Sequence, residues 1–452
     1  MKKYWPDVLI ILLLLFSAPV FFYKLGESSL GSFDEAWYGD IARNILKTGD
    51  FLHLSWNGDA YIDHPPAGFW LIAISEKILG SNELAVRFIP AFLGLLSMVV
   101  LFLLGKEFFN SRVVGFASAL ALPSSFWFLF RARSGNLDVI LTFFFLLTIY
   151  LAVKASKEKK FLLPWSVSLS FLFLTKTLIP ITLIPPLIII FWKTKYSIKE
   201  FFGPGVLFIL IVGGWLINQL IYSPNFLSHY LGIGLPGVDV KTDFQANFLL
   251  IKEYLHSGIG KWFWPGILGI FGGVFFRRKS FIILAAFFFS FLIPAIFSHK
   301  VHIWHLIPLH PILILAFFGF GFSLMEKLKI NRIIVGVVLI AVSIYFSGMQ
   351  IRQAWFQFIN IPAFISDEAI LSKEASKYSE PFYIDGDFQQ TAIFYSGKIV
   401  KKLSHGEILA KFAGDEKFLL ITKQDGLELV KQYKDKYEIL KTDRDKFLIL
   451  KK

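Results

Sequence analysis

Two acidic residues, Asp34 and Glu35, directly follow the first long apolar stretch of the sequence. A carboxylate at this position can accept a proton from a nucleophilic hydroxyl, and it can equally stabilise the start of a helix. Ser32 and Glu35 have the S-x-x-E spacing of a capping box, and Gly49 is suited to end the helix that they begin. The segment therefore predicts a capped helix whose first turn carries Asp34 as a candidate base, with Glu35 as its helper or as part of the cap.

Four later segments also place ionisable side chains beside apolar stretches. They contain, in chain order, Asp63 and His64, then Arg131, Arg133 and Asp138, then Lys176, and finally Lys300, His302 and His305. Clustered cations and histidines can hold a phosphate, a metal ion or only water. An ionisable residue at a membrane boundary can also cap a helix or extend its head group to water, which is the role that we expect for Arg131.

The composition indicates the kind of protein that positions these residues. Of 452 residues, 55% are hydrophobic, 52 are Phe and only 17% are charged. A soluble fold could not bury so much apolar surface, and long apolar runs recur from residue 8 to residue 349. We therefore predict an all-α polytopic membrane protein. The absence of Cys excludes disulfides, thiolate metal sites and a cysteine nucleophile.

The apolar runs predict about eleven transmembrane helices. We place them near residues 8–25, 87–105, 113–130, 137–153, 161–175, 178–192, 202–221, 262–276, 280–298, 304–324 and 332–349. Alternate connections are strongly basic, namely KEFFNSR, KASKEKK, KTKYSIKE, RRK and EKLKINR, so we expect them on the cytoplasmic side. The candidate residues and the tail then face outside the cytoplasm, in a multi-pass protein of the cytoplasmic (inner) membrane.

The positive charge of the chain does not point to nucleic acid. The formal net charge is +13, but from residue 351 onward 17 Lys and Arg stand against 15 Asp and Glu, so the excess lies in the membrane part. Orientation in the membrane explains such an excess, and no recognised nucleic-acid motif is present. We expect membrane lipids as neighbours and no nucleic-acid partner.

We divide the sequence into a transmembrane domain, residues 1–350, and a small soluble α/β domain, residues 351–452. Within the first, the outer loop 26–86 carries two amphipathic helices, the second opened by Pro65 and Pro66, which we expect to lie at the membrane interface. In the tail, alternation in FYIDGDF, TAIFYSG, KFLLITK and KFLILKK predicts strands, with GLELVKQYKDKY as a helix between them. We expect this domain to give support or acceptor access and to carry no catalytic residue.

Five motifs in order resemble one family. They are FDEAWYGDIARNILKTGD, YIDHPPAGFWLIAISEKILGSNELAVRFIPAFLG, RARSGNLD, LTKTLIP and SHKVHIWHLIPLHP. Together they are similar to the lipid-linked-sugar glycosyltransferases, which include the protein O-mannosyltransferases and the lipid A aminoarabinose transferases. The resemblance implies the C-type glycosyltransferase fold and a polyprenyl-phosphate (for example undecaprenyl-phosphate) sugar donor. It also implies transfer to an envelope acceptor, with lipid A or another glycolipid first and protein second, and no required cofactor.

The resemblance also implies roles for individual residues. Asp34 matches the first acid of the family and would act as base or orient the acceptor, and Asp138 matches the second and would orient a sugar, with Glu35 as a catalytic helper. Asp63 stands where relatives carry a metal-binding Glu, so Asp63 with His302 could hold a divalent metal ion. The remaining candidates are His64, Lys176, Lys300 and Arg133 for the donor phosphate, and Tyr38, Asp63, His302 and His305 for substrate.

The sequence departs from the aminoarabinose transferases at two positions, and two other classes of protein are alternatives to a transferase. Trp37 and His64 occupy positions where the aminoarabinose transferases carry Arg and Lys, which favours the broad family over that subclass. A transporter or flippase would also place charges within a helical membrane protein, and a sugar-binding membrane protein would also have the aromatic loop. Release of polyprenyl phosphate, uptake into vesicles, or binding without turnover separates these three.

The alternating basic connections generate a prediction about topology. A single Cys in the KASKEKK segment should be protected from a membrane-impermeant maleimide in intact cells, whereas a Cys in the 26–86 loop or after residue 350 should react. The cysteine-free chain supplies its own background control. Labelling of the KASKEKK variant from outside would overturn the orientation.

Overall fold

The computed structural model describes residues 5–192, 194–234, 243–298 and 301–452, so the candidate Lys300 lies outside the described residues. The chain forms two compact units. We call the first the helical unit, which comprises residues 1–23, 62–68 and 89–361. The second, the sheet unit, comprises residues 24–61, 69–88 and 362–452, so it combines most of the 26–86 loop with the tail.

The elements up to residue 354 are mostly helices. In chain order they are α1 Trp5–Phe22, α2 Asp34–Thr48, β1 Ser55–Trp56, β2 Asp59–Ala60, α3 Ala67–Leu79, α4 Glu83–Phe109, α5 Arg112–Ala121, α6 Phe126–Ala132, α7 Asp138–Ala155, α8 Leu162–Phe173, α9 Ile184–Phe191, α10 Ile198–Phe208, α11 Gly214–Tyr222, α12 Phe226–Gly234, α13 Phe244–Ile259, α14 Phe263–Val274, α15 Lys279–Phe297, α16 Leu309–Lys327 and α17 Arg332–Ala354. Helices and strands alternate in the tail. They are α18 Asp367–Ala375, β3 Phe382–Ile384, α19 Gln389–Ser396, β4 Val400–Lys402, α20 His405–Ala413, β5 Phe418–Lys423, α21 Gln424–Leu429, β6 Tyr437–Asp443 and β7 Lys446–Lys451.

Six helical stretches are long and apolar enough to cross a membrane. They are Glu83–Phe109, Asp138–Ala155, Ile198–Tyr222, Lys279–Phe297, Leu309–Lys327 and Arg332–Ile359. A bent pair, Arg112–Ser124 with Phe126–Ala132, makes a seventh if the two helices count as one span. A helix needs about 20 residues to cross the hydrocarbon core, whereas α8 and α14 have 12 each. The predicted count of eleven spans is therefore not confirmed within the described residues, although every predicted span contains a helix.

The bent pair directs the chain towards the candidate site. Pro123 lies in the short 3-10 turn after α5, and Ser125 leaves helical geometry with ψ of 113°. A proline inside a helix removes a backbone hydrogen bond, so a bend at this point is expected. The two helices meet at 71°, and the second, α6, ends just after Arg131.

The sheet unit contains a five-stranded mixed sheet. Its strand order is β4-β3-β5-β7-β6. Strand β3 is parallel to both of its neighbours, β4 and β5, whereas β7 is antiparallel to both β5 and β6. Leu419 and Ile421 of β5 pack into one apolar cluster, and Phe418 and Leu420 into another on the opposite face. A strand covered on both faces must be apolar throughout, which explains the continuous FLLI run. The predicted α/β class of the tail is confirmed.

One predicted strand of the tail is wrong. TAIFYSG forms most of α19, in which Ala392 and Ile393 pack against the sheet and Gly397 ends the helix with φ of 68°. The apolar residues of this segment fit the two-residue repeat of a strand, but some are also adjacent, so they fit one face of a helix as well. The predicted GLELVKQYKDKY helix is also interrupted, since α21 ends at Leu429 and a 3-10 segment follows.

The start of α2 also differs from the predicted capping box. The N-cap residue is Phe33, which has no capping side chain, and the Ser32 hydroxyl donates to Gln390 Oε1 at 3.2 Å. Glu35 Oε2 instead accepts the Gly31 N–H at 2.9 Å, while both its oxygens bind Arg87. The predicted helix end is confirmed, because Gly49 has the left-handed φ of 72°.

Hydrogen bonds tie the first-loop helices to the tail within the sheet unit. The Arg43 guanidinium donates to the carbonyls of Ile393 and Phe394 at the end of α19, a helix terminus that favours positive charge. The Tyr395 hydroxyl accepts from Leu30 N at 2.7 Å and donates to Glu83. These bonds join segments more than 300 residues apart in sequence, so Leu30, Arg43 and Glu83 fix parts of the first loop to the tail.

Candidate active site

A tight turn in the helical unit presents Asp138. The segment RARSGNLD connects α6 to α7, and the buried Asn136 organises it: its amide donates to the carbonyls of Arg131 and Ser134. Its Oδ1 accepts the Asp138 N–H at 2.9 Å, which satisfies a donor in the first turn of α7. The turn thereby fixes the direction in which α7 begins and brings Arg131 and Asp138 together.

Asp138 is the centre of a buried group of three charges, which we call the ion triad: Arg131, Asp138 and Lys176. Asp138 Oδ2 accepts from Arg131 Nε at 3.0 Å and also from Arg131 Nη2, while Oδ1 accepts from Lys176 Nζ at 2.6 Å. Asp138 is only 2% exposed, and both cations are 8% exposed. The expectation that Arg131 extends to water was wrong, because its guanidinium is buried against this carboxylate.

The charges of the ion triad do not cancel. Arg131 and Lys176 carry two positive charges against the single negative charge of Asp138, which leaves a formal charge of +1. Removing ions from water costs several kcal/mol for each ion unless partners compensate. A buried site with one excess positive charge is therefore suited to an anionic group, and phosphate oxygens are strong acceptors for Arg and Lys.

Lys176 lies in a strained turn after α8. Leu178 has φ of 49°, a left-handed conformation that is rare for a branched side chain. The Thr177 hydroxyl donates to the Asp63 carbonyl at 2.7 Å, and its oxygen contacts His64 Nδ1 at 3.2 Å. The turn that holds Lys176 is thus bound to the segment just before the two prolines that precede α3.

The two histidines beside the ion triad have lowered pKa values. Burial lowers the pKa of His64 to about 3, with a further contribution from the charge of Lys176. Burial likewise lowers the pKa of His305 to about 3, again with Lys176 as the next cause. The Thr177 hydroxyl donates its proton to the Asp63 carbonyl, so its oxygen can only accept from His64 Nδ1. In the neutral imidazole, Nδ1 then carries the proton and Nε2 is the acceptor. The predicted contact of His64 with the donor phosphate stays a prediction.

An aromatic stack holds the guanidinium of Arg131. Its central carbon lies 5.2 Å from the centre of the Trp304 ring, and His302 stacks on Trp304 at 4.6 Å. A cation over an indole ring is stabilised by the ring quadrupole, more so away from water. The SHKVHIWH segment thus contributes an aromatic support for the ion triad through Trp304, with the candidate His302 as the exposed outer layer.

The residues suggested for a metal ion do not assemble a metal site. Asp63 Oδ1 lies 2.6 Å from His229 Nε2, a partner that we had not predicted, instead of pairing with His302. Residues 5–192, 194–234, 243–298 and 301–452 contain no group of three or more His, Asp or Glu placed to hold a metal. A metal ion held by Asp63 and His302 is therefore not supported.

Arg133 binds the end of α1. Its guanidinium donates to the carbonyls of Val20, Phe21 and Tyr23, where α1 ends. Cations near a helix C-terminus satisfy carbonyls that have no partner within the helix. The donors of Arg133 thus hold α1, and the structure gives no support to the predicted contact with phosphate.

The other candidates belong to the sheet unit. Asp34 is half-buried in the first turn of α2, and Tyr38, one turn later, is buried edge-on against Phe69. Glu35 Oε1 lies 2.7 Å from Arg87 Nε, and Arg87 also donates to three backbone carbonyls around residues 25–29. This buried pair gives Glu35 a structural role in the entry to α2.

Sequence reasoning missed Arg87, His229, Thr177 and Trp304. Arg87 carried a recognisable signal, since an arginine in the apolar stretch LAVRFIP at the start of α4 needs a buried acceptor. His229 had no comparable signal, because it lies 166 residues from its partner Asp63. Long-range pairs of this kind cannot be deduced from local patterns.

Comparisons with known proteins identify the architecture. A crystal structure of ArnT from Cupriavidus metallidurans bound to undecaprenyl phosphate aligns with a TM-score of 0.74 at 15% identity, covering 99% of this chain and 98% of that chain. The same protein in the apo state aligns with a TM-score of 0.76 at 16% identity, covering 98% and 97%. The fold is therefore that of a C-type glycosyltransferase.

Sequence comparisons agree. Residues 63–217 match the family described as dolichyl-phosphate-mannose-protein mannosyltransferase. An uncharacterized protein of Aquifex aeolicus is 28% identical over 82% of this chain and 75% of its own length. An undecaprenyl phosphate-alpha-4-amino-4-deoxy-L-arabinose arabinosyl transferase 2 of Pseudomonas fluorescens is 29% identical over 45% of this chain, but the match covers only 37% of that relative. These matches confirm the predicted resemblance to the superfamily of lipid-linked-sugar glycosyltransferases and the predicted enzyme class.

The ion triad generates a prediction about stability. Asp138→Asn leaves two buried cations without a counter-charge, and breaking a buried ion pair in this way costs about 3–5 kcal/mol. We expect a clear fall in the thermal unfolding midpoint in detergent. The double variant Asp138→Asn with Lys176→Met should recover part of the loss, because it removes one of the stranded cations.

The matched control is Glu326→Gln, which removes a carboxylate from a pair with Arg278 whose side chains are 39% and 37% exposed. Exposed pairs contribute about 0–1 kcal/mol, so this variant should unfold near the wild-type temperature. An Asp138→Asn midpoint equal to that of Glu326→Gln would show that the ion triad is solvated.

Proposed function

We propose that this protein transfers a sugar from a polyprenyl-phosphate donor to an acceptor of the cell envelope. The observation that carries the proposal is the excess positive charge of the buried ion triad. A structural relative has undecaprenyl phosphate bound, and the matching family is described by dolichyl-phosphate mannose, so both names contain a lipid phosphate of the proposed kind. A polyprenyl donor stays in the bilayer, which fits a site carried by helices that can cross a membrane.

In the proposed reaction the ion triad binds the donor phosphate. As the bond between the sugar carbon and the phosphate oxygen breaks, negative charge grows on that oxygen. Arg131 and Lys176 donate N–H bonds that become stronger as this charge develops, which lowers the barrier. Both oxygens of Asp138 accept from these cations, so we assign Asp138 the orientation of the two donors in place of direct contact with the sugar.

Asp34 is our candidate for the acceptor side of the reaction. The acceptor hydroxyl oxygen forms a bond to the sugar carbon from the face opposite the phosphate, which inverts that carbon. The hydroxyl proton passes to a carboxylate, and the start of α2 presents Asp34 in a fixed direction. Glu35 cannot share this role easily, because Arg87 holds both its oxygens.

The identity of the substrates is proposed at a coarser level. Relatives named as aminoarabinose transferases favour a glycolipid acceptor such as lipid A, and the matching family of protein mannosyltransferases makes protein the second choice. Burial lowers the pKa of His64 and thereby disfavours a positive charge on it, so we assign the donor phosphate to Arg131 and Lys176. We propose that the site and the sheet unit face outside the cytoplasmic (inner) membrane, where such acceptors are found.

A transporter or flippase of a lipid-linked substrate remains the alternative. It would use the ion triad to bind phosphate but would release no polyprenyl phosphate from its substrate. Incubation of purified protein with polyprenyl-phosphate sugars and with lipid A or peptide acceptors separates the two functions. Release of polyprenyl phosphate only when an acceptor is present supports the transferase, and uptake into vesicles without release supports the alternative.

The proposal predicts different losses for two neighbouring carboxylates. Asp34→Asn should lower the turnover number by about a hundred- to ten-thousandfold, because Asn cannot take up the proton, while the unfolding midpoint stays near wild type. Glu35→Gln should lower the unfolding midpoint by weakening the pair with Arg87, while its folded fraction turns over near the wild-type rate. Turnover at saturating donor and thermal unfolding are measured on both variants. Turnover of Asp34→Asn within a few-fold of wild type would remove Asp34 from the reaction.

A further inference from the structure

The sheet unit contains a cleft that the proposed reaction does not use. Its volume is about 470 Å³, within the range of small-molecule sites. Residues at the ends of β3 and β5 form much of its wall, and the start of α20 adds His405. The lining side chains are mostly charged, and its other residues include Ser32, Glu368, Phe388 and Lys446.

The cleft lies where parallel sheets usually bind ligands. After β3 the chain enters α19, whose Ala392 and Ile393 pack on one face of the sheet. After the neighbouring strand β5 it enters α21, whose Leu427 and Leu429 pack on the opposite face. Connections that leave adjacent parallel strands in opposite directions open a crevice at the carboxyl ends of those strands. Asp385 follows β3 and Asp425 follows β5, and both line this crevice.

The floor of the cleft is held by a buried lysine. Lys446 is 7% exposed, and its Nζ lies 2.9 Å from Asp367 Oδ2 and 2.6 Å from Glu368 Oε1. Two carboxylates thus accept from Lys446, and their negative charge exceeds its single positive charge. Phe388, which is 6% exposed, adds an apolar wall beside the floor.

Asp385 is the best-placed ligand group in the cleft. Its Oδ2 accepts from the Thr422 hydroxyl, which fixes the carboxylate at the end of β3. Burial raises the pKa of Asp385, and the negative charge of Asp425 raises it further. A fixed carboxylate next to a second one offers several acceptors to a ligand with more than one donor.

The charge of the lining restricts the class of ligand. Glu368, Asp385, Asp387 and Asp425 carry four negative charges against the two positive charges of Lys423 and Lys446. Lys402, outside the lining, pairs with Asp387, and the cleft keeps a net negative charge that disfavours a phosphate. These acids are not arranged as a metal site either, because the described ranges hold no group of three or more His, Asp or Glu placed for one.

We propose that the cleft binds a neutral or amine-bearing sugar, namely a carbohydrate unit of the acceptor that carries no phosphate. Sugar hydroxyls both donate and accept, so they suit carboxylates beside Lys423 and a backbone exposed at Gly386. Ser32 lines the cleft two residues before Asp34, which connects this sugar site to the proposed base along one chain segment. The role of this sugar as acceptor rests on the proposed function, whereas sugar binding by the cleft does not.

The test measures binding to the full-length protein without any donor, in a detergent that has no sugar head group. The probes are methyl glucoside and methyl glucosaminide, followed by saturation-transfer NMR and calorimetric titration. We expect millimolar binding, at least tenfold weaker in Asp385→Asn and Asp425→Asn. Both substitutions preserve side-chain shape, and Asp425 is exposed, so the fold should survive. Glu438→Gln, an exposed carboxylate on the far strand β6, should bind like wild type.

Three results would overturn the proposal. They are no binding of either sugar, sugar binding unchanged in both variants, or binding of Mg²⁺ or inorganic phosphate in place of sugar. Failure of the transferase proposal gives a different pattern, since Asp34→Asn should bind both probes like wild type whatever its turnover. In a transfer assay the cleft variants should raise KM for the acceptor and leave kcat near wild type.

Discussion

The arrangement of the helical unit depends on one constraint: charges cannot be removed from water without partners. Asp138 is almost fully buried, and it persists there because Arg131 and Lys176 reach it from two other elements. Each of those elements is shaped accordingly. Pro123 bends the chain into α6, Asn136 closes the turn into α7, and Leu178 accepts a left-handed backbone after Lys176. The excess positive charge that remains is the basis of the proposed phosphate site.

The sheet unit follows the same rule with different pairs. Arg87 joins Glu35 to the carbonyls before α2, and Arg43 joins Asp40 to the end of α19. Buried ion pairs add little net stability, but they are strongly destabilising when one partner is missing. They therefore specify which segments come together. In this unit Arg43 joins the first loop to the tail, which local patterns did not indicate.

Local patterns in the sequence predicted the elements better than their partners. Apolar runs located a helix at each predicted span, and Gly49 marked the end of α2, because both depend on nearby residues. Alternation failed at TAIFYSG, where adjacent apolar residues also fit a helix. The order of motifs indicated Asp138 and Lys176 as candidate site residues. It did not indicate that Arg131 would pair with Asp138. Side-chain partners depend on packing between distant segments, and a single sequence does not encode those contacts in any local period.

The central claim is that the ion triad binds the phosphate of a polyprenyl lipid through its excess positive charge. The most direct measurement compares the affinities of undecaprenyl phosphate and undecaprenol for wild type, Lys176→Gln and the exposed control Arg278→Gln. Lys176→Gln lowers the formal charge of the triad from +1 to zero. Loss of a buried charge-assisted bond costs about 2–3 kcal/mol, equivalent to roughly a hundredfold in Kd. We predict that weakening for undecaprenyl phosphate alone, with undecaprenol and the control unchanged. Equal affinities of wild type and Lys176→Gln for undecaprenyl phosphate would contradict the account.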